Sequence, residues 1–198
     1  MVFFESFSHS NFNPEPNPLY WFRLAHRKCH VAGTVVGGGL DGTVVDVTLD
    51  SGAFGGIVAE SMDNKPEEMN STEKRYTISL KSLFETFGVP SIIDYLSLDV
   101  EGAEELIFRD FPFELYKIRI ITVERPSLEM QAILRSNGYQ FVTMLIYFGE
   151  TLWLHESVLD VIQMTTIKEI IGIHHTAKRP KKGYLVYEMD TGAYVVHD

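Results

Sequence analysis

The stretch Ile92-Ile93-Asp94-Tyr95-Leu96-Ser97-Leu98-Asp99-Val100-Glu101-Gly102-Ala103-Glu104 decides the fold class of this chain. It opens as an apolar run of strand length. Two carboxylates then stand one residue apart, followed by a glycine and a helix-forming sequence. This reads as a buried strand that ends at acids and turns into a helix. Further on, Ile118-Arg119-Ile120-Ile121-Thr122-Val123 is a second β-branched run, and it stops at Glu124. In an open parallel sheet, ligands sit beyond the carboxyl ends of the strands, so acids at both ends stand where chemistry is done. The pattern implies an α/β enzyme domain.

Working outward, the first fourteen residues show no period and read as an irregular segment. Asn17-Pro18 opens a helix, with Asn as N-cap and Pro at the first helical position. A short strand over 30–36 is closed by Gly37-Gly38-Gly39, a second covers 43–49, and the polar residues 59–76 read as an exposed loop. Ser79 caps a helix whose Leu80, Leu83, Phe84 and Phe87 recur at helical spacing before Gly88 and Pro90 stop it. A helix over 103–109 and an aromatic loop, Phe111-Pro112-Phe113, lead to the strand that ends at Glu124. Ser127 caps the next helix, which Asn137-Gly138 ends. Two strands over 139–147 and 151–155 meet at Gly149-Glu150. A helix over 157–171 and a hairpin around Asp190-Thr191-Gly192 complete the chain. The order implies a mostly parallel sheet with an antiparallel edge pair. It also implies an irregular segment 1–14, a main domain 15–155 and an extension 156–198.

At 198 residues the chain suits one domain with a sizeable core, and its 45% hydrophobic content argues against disorder. A net charge of −10 excludes nucleic-acid binding through a broad basic face. The basic run Lys178-Arg179-Pro180-Lys181-Lys182 reads as a solvated loop, with a patch for lipid or an anionic partner as the alternative. The single cysteine, Cys29, excludes an internal disulfide framework and a cysteine zinc cluster. No apolar run reaches the length of a membrane span, and Met1 is not followed by a signal-like segment. Cytoplasmic residence is the default expectation.

Asp99 and Glu101 are the leading chemical candidates. Carboxylates there could accept a proton from a hydroxyl, bind a divalent cation or hold a cofactor's amino group. The competing reading is structural, with Asp99 capping the helix and Glu101, Glu104 and Glu105 favouring its positive end. For Glu124 the competing reading is a salt bridge to Arg125 or Arg119. A weaker third reading is a metal-dependent hydrolase using Asp99, Glu101 and Glu124; it needs further ligands, and His174-His175 adjoin instead of facing one site.

The segment Leu96-Ser97-Leu98-Asp99-Val100-Glu101-Gly102-Ala103-Glu104 resembles the central motif of the FkbM-type S-adenosylmethionine-dependent methyltransferases. Similar pieces flank it: Glu15-Pro16-Asn17-Pro18-Leu19-Tyr20-Trp21, Cys29-His30-Val31-Ala32-Gly33, Gly55-Gly56-Ile57, Ile121-Thr122-Val123-Glu124 and Asn137-Gly138-Tyr139. The resemblance implies a Rossmann-like methyltransferase acting on hydroxyls of sugars or small molecules. It implies Glu15, Asn17 and Asp99 as cofactor-binding residues, with Glu15 accepting from both ribose hydroxyls. It implies Asp99, Glu101 and Glu124 as the catalytic acids. A small-molecule or glycan acceptor is the expected partner. The family's first strand and glycine-rich cofactor turn find no counterpart ahead of Glu15. The expectation is therefore an N-terminally truncated domain with an uncovered sheet edge and weak or absent cofactor binding. The alternative is a non-catalytic interaction domain derived from a methyltransferase.

Overall fold

The computed structural model describes residues 2–5, 11–14, 17–18, 29–49, 55–159, 182 and 184–196. The chain divides into two compact units, Met1–Ile118 and Arg119–Asp198.

The first unit comprises strands β1 (Val2–Glu5), β2 (Asn11–Pro14), β3 (Cys29–Ala32), β4 (Val35–Val36), β5 (Val44–Thr48), β6 (Gly56–Ile57) and β7 (Glu73–Ile78). Helix α1 (Leu80–Thr86), strand β8 (Ile92–Leu98) and helix α2 (Glu104–Arg109) follow. β8, β1, β2 and β3 lie side by side in that order. β1 runs antiparallel to β8, with Val2 opposite Leu98 and Glu5 opposite Tyr95. β2 is antiparallel to β1 and parallel to β3.

This corrects the expectation for residues 1–14. They supply two strands, and β1 occupies the edge of β8 that was expected to lie open. Val-Phe-Phe-Glu is β-prone, and an unpaired strand edge offers a row of backbone donors and acceptors for it to meet. Pro14 is the last residue of β2, where a missing N–H is tolerated. The sheet is also less parallel than expected, because β8 takes an antiparallel neighbour from the start of the chain.

A second sheet has the order β4-β7-β5-β6. β4 is parallel to β7, whereas β5 is antiparallel to both β7 and β6. The expected single strand over 30–36 is thus two strands in different sheets, parted at Gly33-Thr34. β7 was read as part of a polar loop. Its Glu-Lys-Arg start hides the alternation, yet Tyr76 is exposed and Thr77 buried, as a pleat requires. Val35, Val47, Ile57, Met62 and Ala103 form the core beneath this sheet. The glycines after β4 permit close packing. A Cβ on Gly37 would lie 2.9 Å from Thr77 Cγ2, and one on Gly38 would lie 2.2 Å from the Leu106 carbonyl oxygen of α2.

α1 begins as the sequence indicates, with Ser79 Oγ accepting from Ser82 N at 3.1 Å. The Asp41 carboxylate adds a second cap by accepting from Ser79 N at 2.6 Å. Hydrogen bonds from Ser82 and Ser79 hold its pKa below the usual carboxylate value. Leu80, Leu83 and Phe84 are buried. Phe84 meets Phe111 and Tyr116 edge-on, with ring centroids 5.8 and 5.2 Å apart, so the aromatic loop is core material.

The second unit is built on β9 (Lys117–Glu124), which begins at the boundary. It continues through helix α3 (Leu128–Ser136), strands β10 (Tyr139–Met144) and β11 (Glu150–His155), and the hairpin β12 (Leu185–Glu188) and β13 (Ala193–Val196). β11 pairs antiparallel with both β10 and β9. The expected antiparallel pair is therefore present. Ser127 caps α3 by accepting from Met130 N at 3.0 Å, and the left-handed Gly138 (φ 83°) ends it.

The hairpin is fastened to this unit. Tyr187 OH donates to Pro126 O at 2.5 Å, and Gln131 Nε2 donates to Met189 O at 2.9 Å. Glu156–Val158 makes a single 3₁₀ turn. The remainder of the helix expected over 157–171, like the body of the one opening at Asn17-Pro18, lies outside the described residues. Among the described residues, no helix is long and apolar enough to cross a membrane.

Candidate functional site

Ile93, Leu96 and Leu98 are fully buried, which anchors β8 and fixes where its carboxyl end emerges. Asp99 and Val100 follow, half-buried. Glu101 (φ 54°) and Gly102 (φ 95°) then take left-handed backbone in succession and turn the chain into α2. Glycine suits this second position, because a Cβ would stand 3.0 Å from Asp63 N. Glu101 has no such freedom. A non-glycine residue held there costs of order 1–3 kcal/mol, and such strain gathers at functional sites.

The surrounding structure holds this turn. Asp63 N donates to Glu101 O at 3.1 Å, and Ala59 N donates to Asn64 O at 3.1 Å, so residues 59–64 are strapped to the acidic loop. Glu101 is only 7% exposed. Its side chain passes over Gly56, where an added Cβ would lie 3.2 Å from Glu101 Cβ and 3.0 Å from Asn64 Nδ2. Asn64 is also buried, and its Nδ2 has no hydrogen-bond partner among the described residues. Leaving such a donor unmet costs about 1–3 kcal/mol.

Glu104 fastens the loop from the other side, with Oε1 accepting from Val100 N at 3.0 Å. Burial pushes its pKa up from 4.5 to about 7. The backbone hydrogen bonds oppose this rise, and the negative charge of Asp63 adds to it.

The structure thus brings Asp99 and Glu101 onto one loop at the end of β8. Glu124 belongs to the second unit, as the last residue of β9. It accepts from Arg125 Nη2 at 2.8 Å, as the structural reading of the sequence had it. Arg125 is itself left-handed (φ 46°), and its N–H donates to Gly149 O at 2.9 Å. Asn17 is buried, with Nδ2 donating to Leu49 O at 3.0 Å. Glu15 lies outside the described residues. Sequence reasoning missed two features. Asn64 sat in a stretch read as solvated loop and carried no signal. Glu104 was seen only as an acid near a helix start, although its spacing from Val100 suits a side chain reaching back one turn.

The methyltransferase FkbM domain matches this chain over residues 6–141, well over half its length. The chain belongs to the FkbM methyltransferase family. No curated protein and no solved structure matches it. The FkbM match takes in β8, the acidic loop, β9 and α3, and it ends within β10. The hairpin β12–β13 is therefore an addition beyond the matched FkbM domain.

Proposed function

We propose that this FkbM-family chain is an S-adenosylmethionine-dependent O-methyltransferase acting on a hydroxyl of a sugar or small molecule. The Rossmann-like reading of its sheet belongs to the same proposal. The observation that supports it most is the loop after β8, where a buried acid in strained backbone, Glu101, follows a half-buried one, Asp99.

The donor set fits the cofactor's amino-acid end. The Asp99 carboxylate can accept hydrogen bonds from an ammonium group. On the family resemblance, Glu15 and Asn17 serve the ribose side. When bound, the cofactor supplies an electrophilic methyl group on a sulfonium. The protein's task is to hold the acceptor oxygen in line with that methyl, and orientation of this kind accounts for much of such a barrier. A Glu101 carboxylate oxygen would accept the hydroxyl proton as the methyl leaves the sulfonium sulfur for the acceptor oxygen, and the family resemblance names Glu124 as a further candidate base.

Titration calorimetry with S-adenosylhomocysteine tests the reading without knowledge of the acceptor. Against the expectation of weak or absent binding drawn from the missing glycine turn, the wild-type chain should bind, and Asp99→Asn should weaken binding at least tenfold. Absence of binding at millimolar product, or affinity untouched by both Asp99→Asn and Glu15→Ala, would overturn it.

A further inference from the structure

We propose that Glu104 is a pH-sensitive latch on the loop that carries Asp99 and Glu101, closed while its carboxyl is neutral and loosened when that carboxyl ionises. The geometry points to this device. The loop is clasped on one side by the backbone bond from Asp63 N to Glu101 O and on the other by Glu104, whose carboxyl accepts from Val100 N at 3.0 Å and from the Gly102 and Glu104 amides. Between the clasps lie the two left-handed residues Glu101 and Gly102, which form a ready hinge.

The Glu104 side chain can hold its clasp only from inside the protein, where it is 6% exposed. A negative charge there has lost its water. Asp63 adds a second negative charge from the 59–64 turn, and Asp99 and Glu101 stand on the same loop. Lys65 follows on that turn but is exposed. Arg109, the cation of α2, is bound to Glu105 on the helix's outer side. Ionisation strengthens the bonds that Glu104 accepts from the Val100, Glu104 and Gly102 amides, but burial outweighs them. The charged carboxyl is therefore better served by solvent, and Val100 N loses its acceptor when it swings out.

The open loop would carry Glu104 at its ordinary value of 4.5, and the closed loop carries it at about 7. Linkage then makes the open-to-closed ratio grow with pH between those limits and level off above them. The rise is roughly seventy-fold from pH 5 to pH 8. Its bearing on methyl transfer rests on reading Asp99 and Glu101 as the working acids. The latch itself can be observed with neither cofactor nor acceptor, so failure of one idea is distinguishable from failure of the other.

The experiment is amide hydrogen exchange of the whole chain between pH 5 and pH 8, expressed as protection factors so that the intrinsic pH dependence cancels. Protection of the Val100 amide should fall by tens-fold in the wild type and stay level in Glu104→Gln, whose carboxamide oxygen keeps the bond. Asp63→Asn supplies an independent arm should that variant fold poorly. Removing its charge should move the midpoint of the fall to lower pH. Equal pH dependence of Val100 protection in wild type and Glu104→Gln, or an unmoved midpoint in Asp63→Asn, overturns the latch.

Discussion

Substitution of Gly38 by alanine isolates a purely steric demand of this fold. Gly38 has no left-handed backbone, so alanine meets no conformational penalty there. Its new Cβ would nevertheless stand 2.2 Å from the Leu106 carbonyl oxygen and 2.7 Å from the carbonyl carbon. The obstructing atoms are helix backbone, which cannot rotate aside as a side-chain tip could. The strand end and α2 must separate by roughly 1 Å, and overpacking of this kind costs about 1–3 kcal/mol or more. With rigid backbone as the obstacle, about 3 kcal/mol is expected. In a chain of this length that corresponds to a fall in Tm of about 6–12 °C. Gly39→Ala is the matched control, since Gly39 has φ 78° and open space around it. There the cost is conformational alone, about 1–2 kcal/mol. Urea unfolding and calorimetry of both variants decide the matter. If Gly38→Ala is the milder of the two, or lies within 0.5 kcal/mol of wild type, the close approach to α2 is refuted.

Glu104 also sets a pH dependence of global stability. Its native pKa is raised from 4.5 to about 7, so the folded state keeps a proton that the unfolded chain releases. Its stabilising contribution is full below 4.5 and declines as pH rises to about 7, by roughly 3 kcal/mol at ~1.4 kcal/mol per unit. Urea titrations at pH 5 and pH 8 should show Glu104→Gln lacking that part of the decline; an identical decline in both proteins would contradict it. Thr151→Val should destabilise the second unit by about 1–3 kcal/mol. Thr151 Oγ1 donates to Val123 O at 2.7 Å and accepts from Trp153 Nε1 at 2.9 Å, so valine strands a buried indole N–H. A denaturation midpoint unchanged from wild type would refute this. Gly102→Ala combines left-handed backbone with a 3.0 Å approach to Asp63 N. It should lower S-adenosylhomocysteine affinity as well as Tm, and a loss of Tm alone would separate the loop from ligand binding.

Much of the local structure was written in single residues. Ser79 and Ser127 announced two helix starts, because a hydroxyl at the N-cap meets a free amide whatever surrounds it. Gly88 and Gly138 announced the two ends for a similarly local reason. The strand before Asp99 was legible as an apolar run, and the D-V-E-G-A-E motif identified the family. β7 was not legible, because three charged residues at its start mask a pleat that only neighbouring strands reveal. Nor were β1 and β2, whose strand character comes from the edge of β8 and from β3.

The sequence by itself determined where helices start and stop, where β8 ends and which acids follow it. These depend on interactions within a turn or two of chain. Only the tertiary structure decided that Glu101 is buried in left-handed backbone beside the buried Asn64 side chain, and that Glu104 is desolvated enough to hold its proton near neutrality. Residues 59–64, far away in sequence, reach this loop through the bond from Asp63 N to Glu101 O, and the Asp63 charge adds to the effect of burial on Glu104. Burial and the electrostatics that follow from it belong to the packed assembly, and no spacing of residues along the chain encodes them.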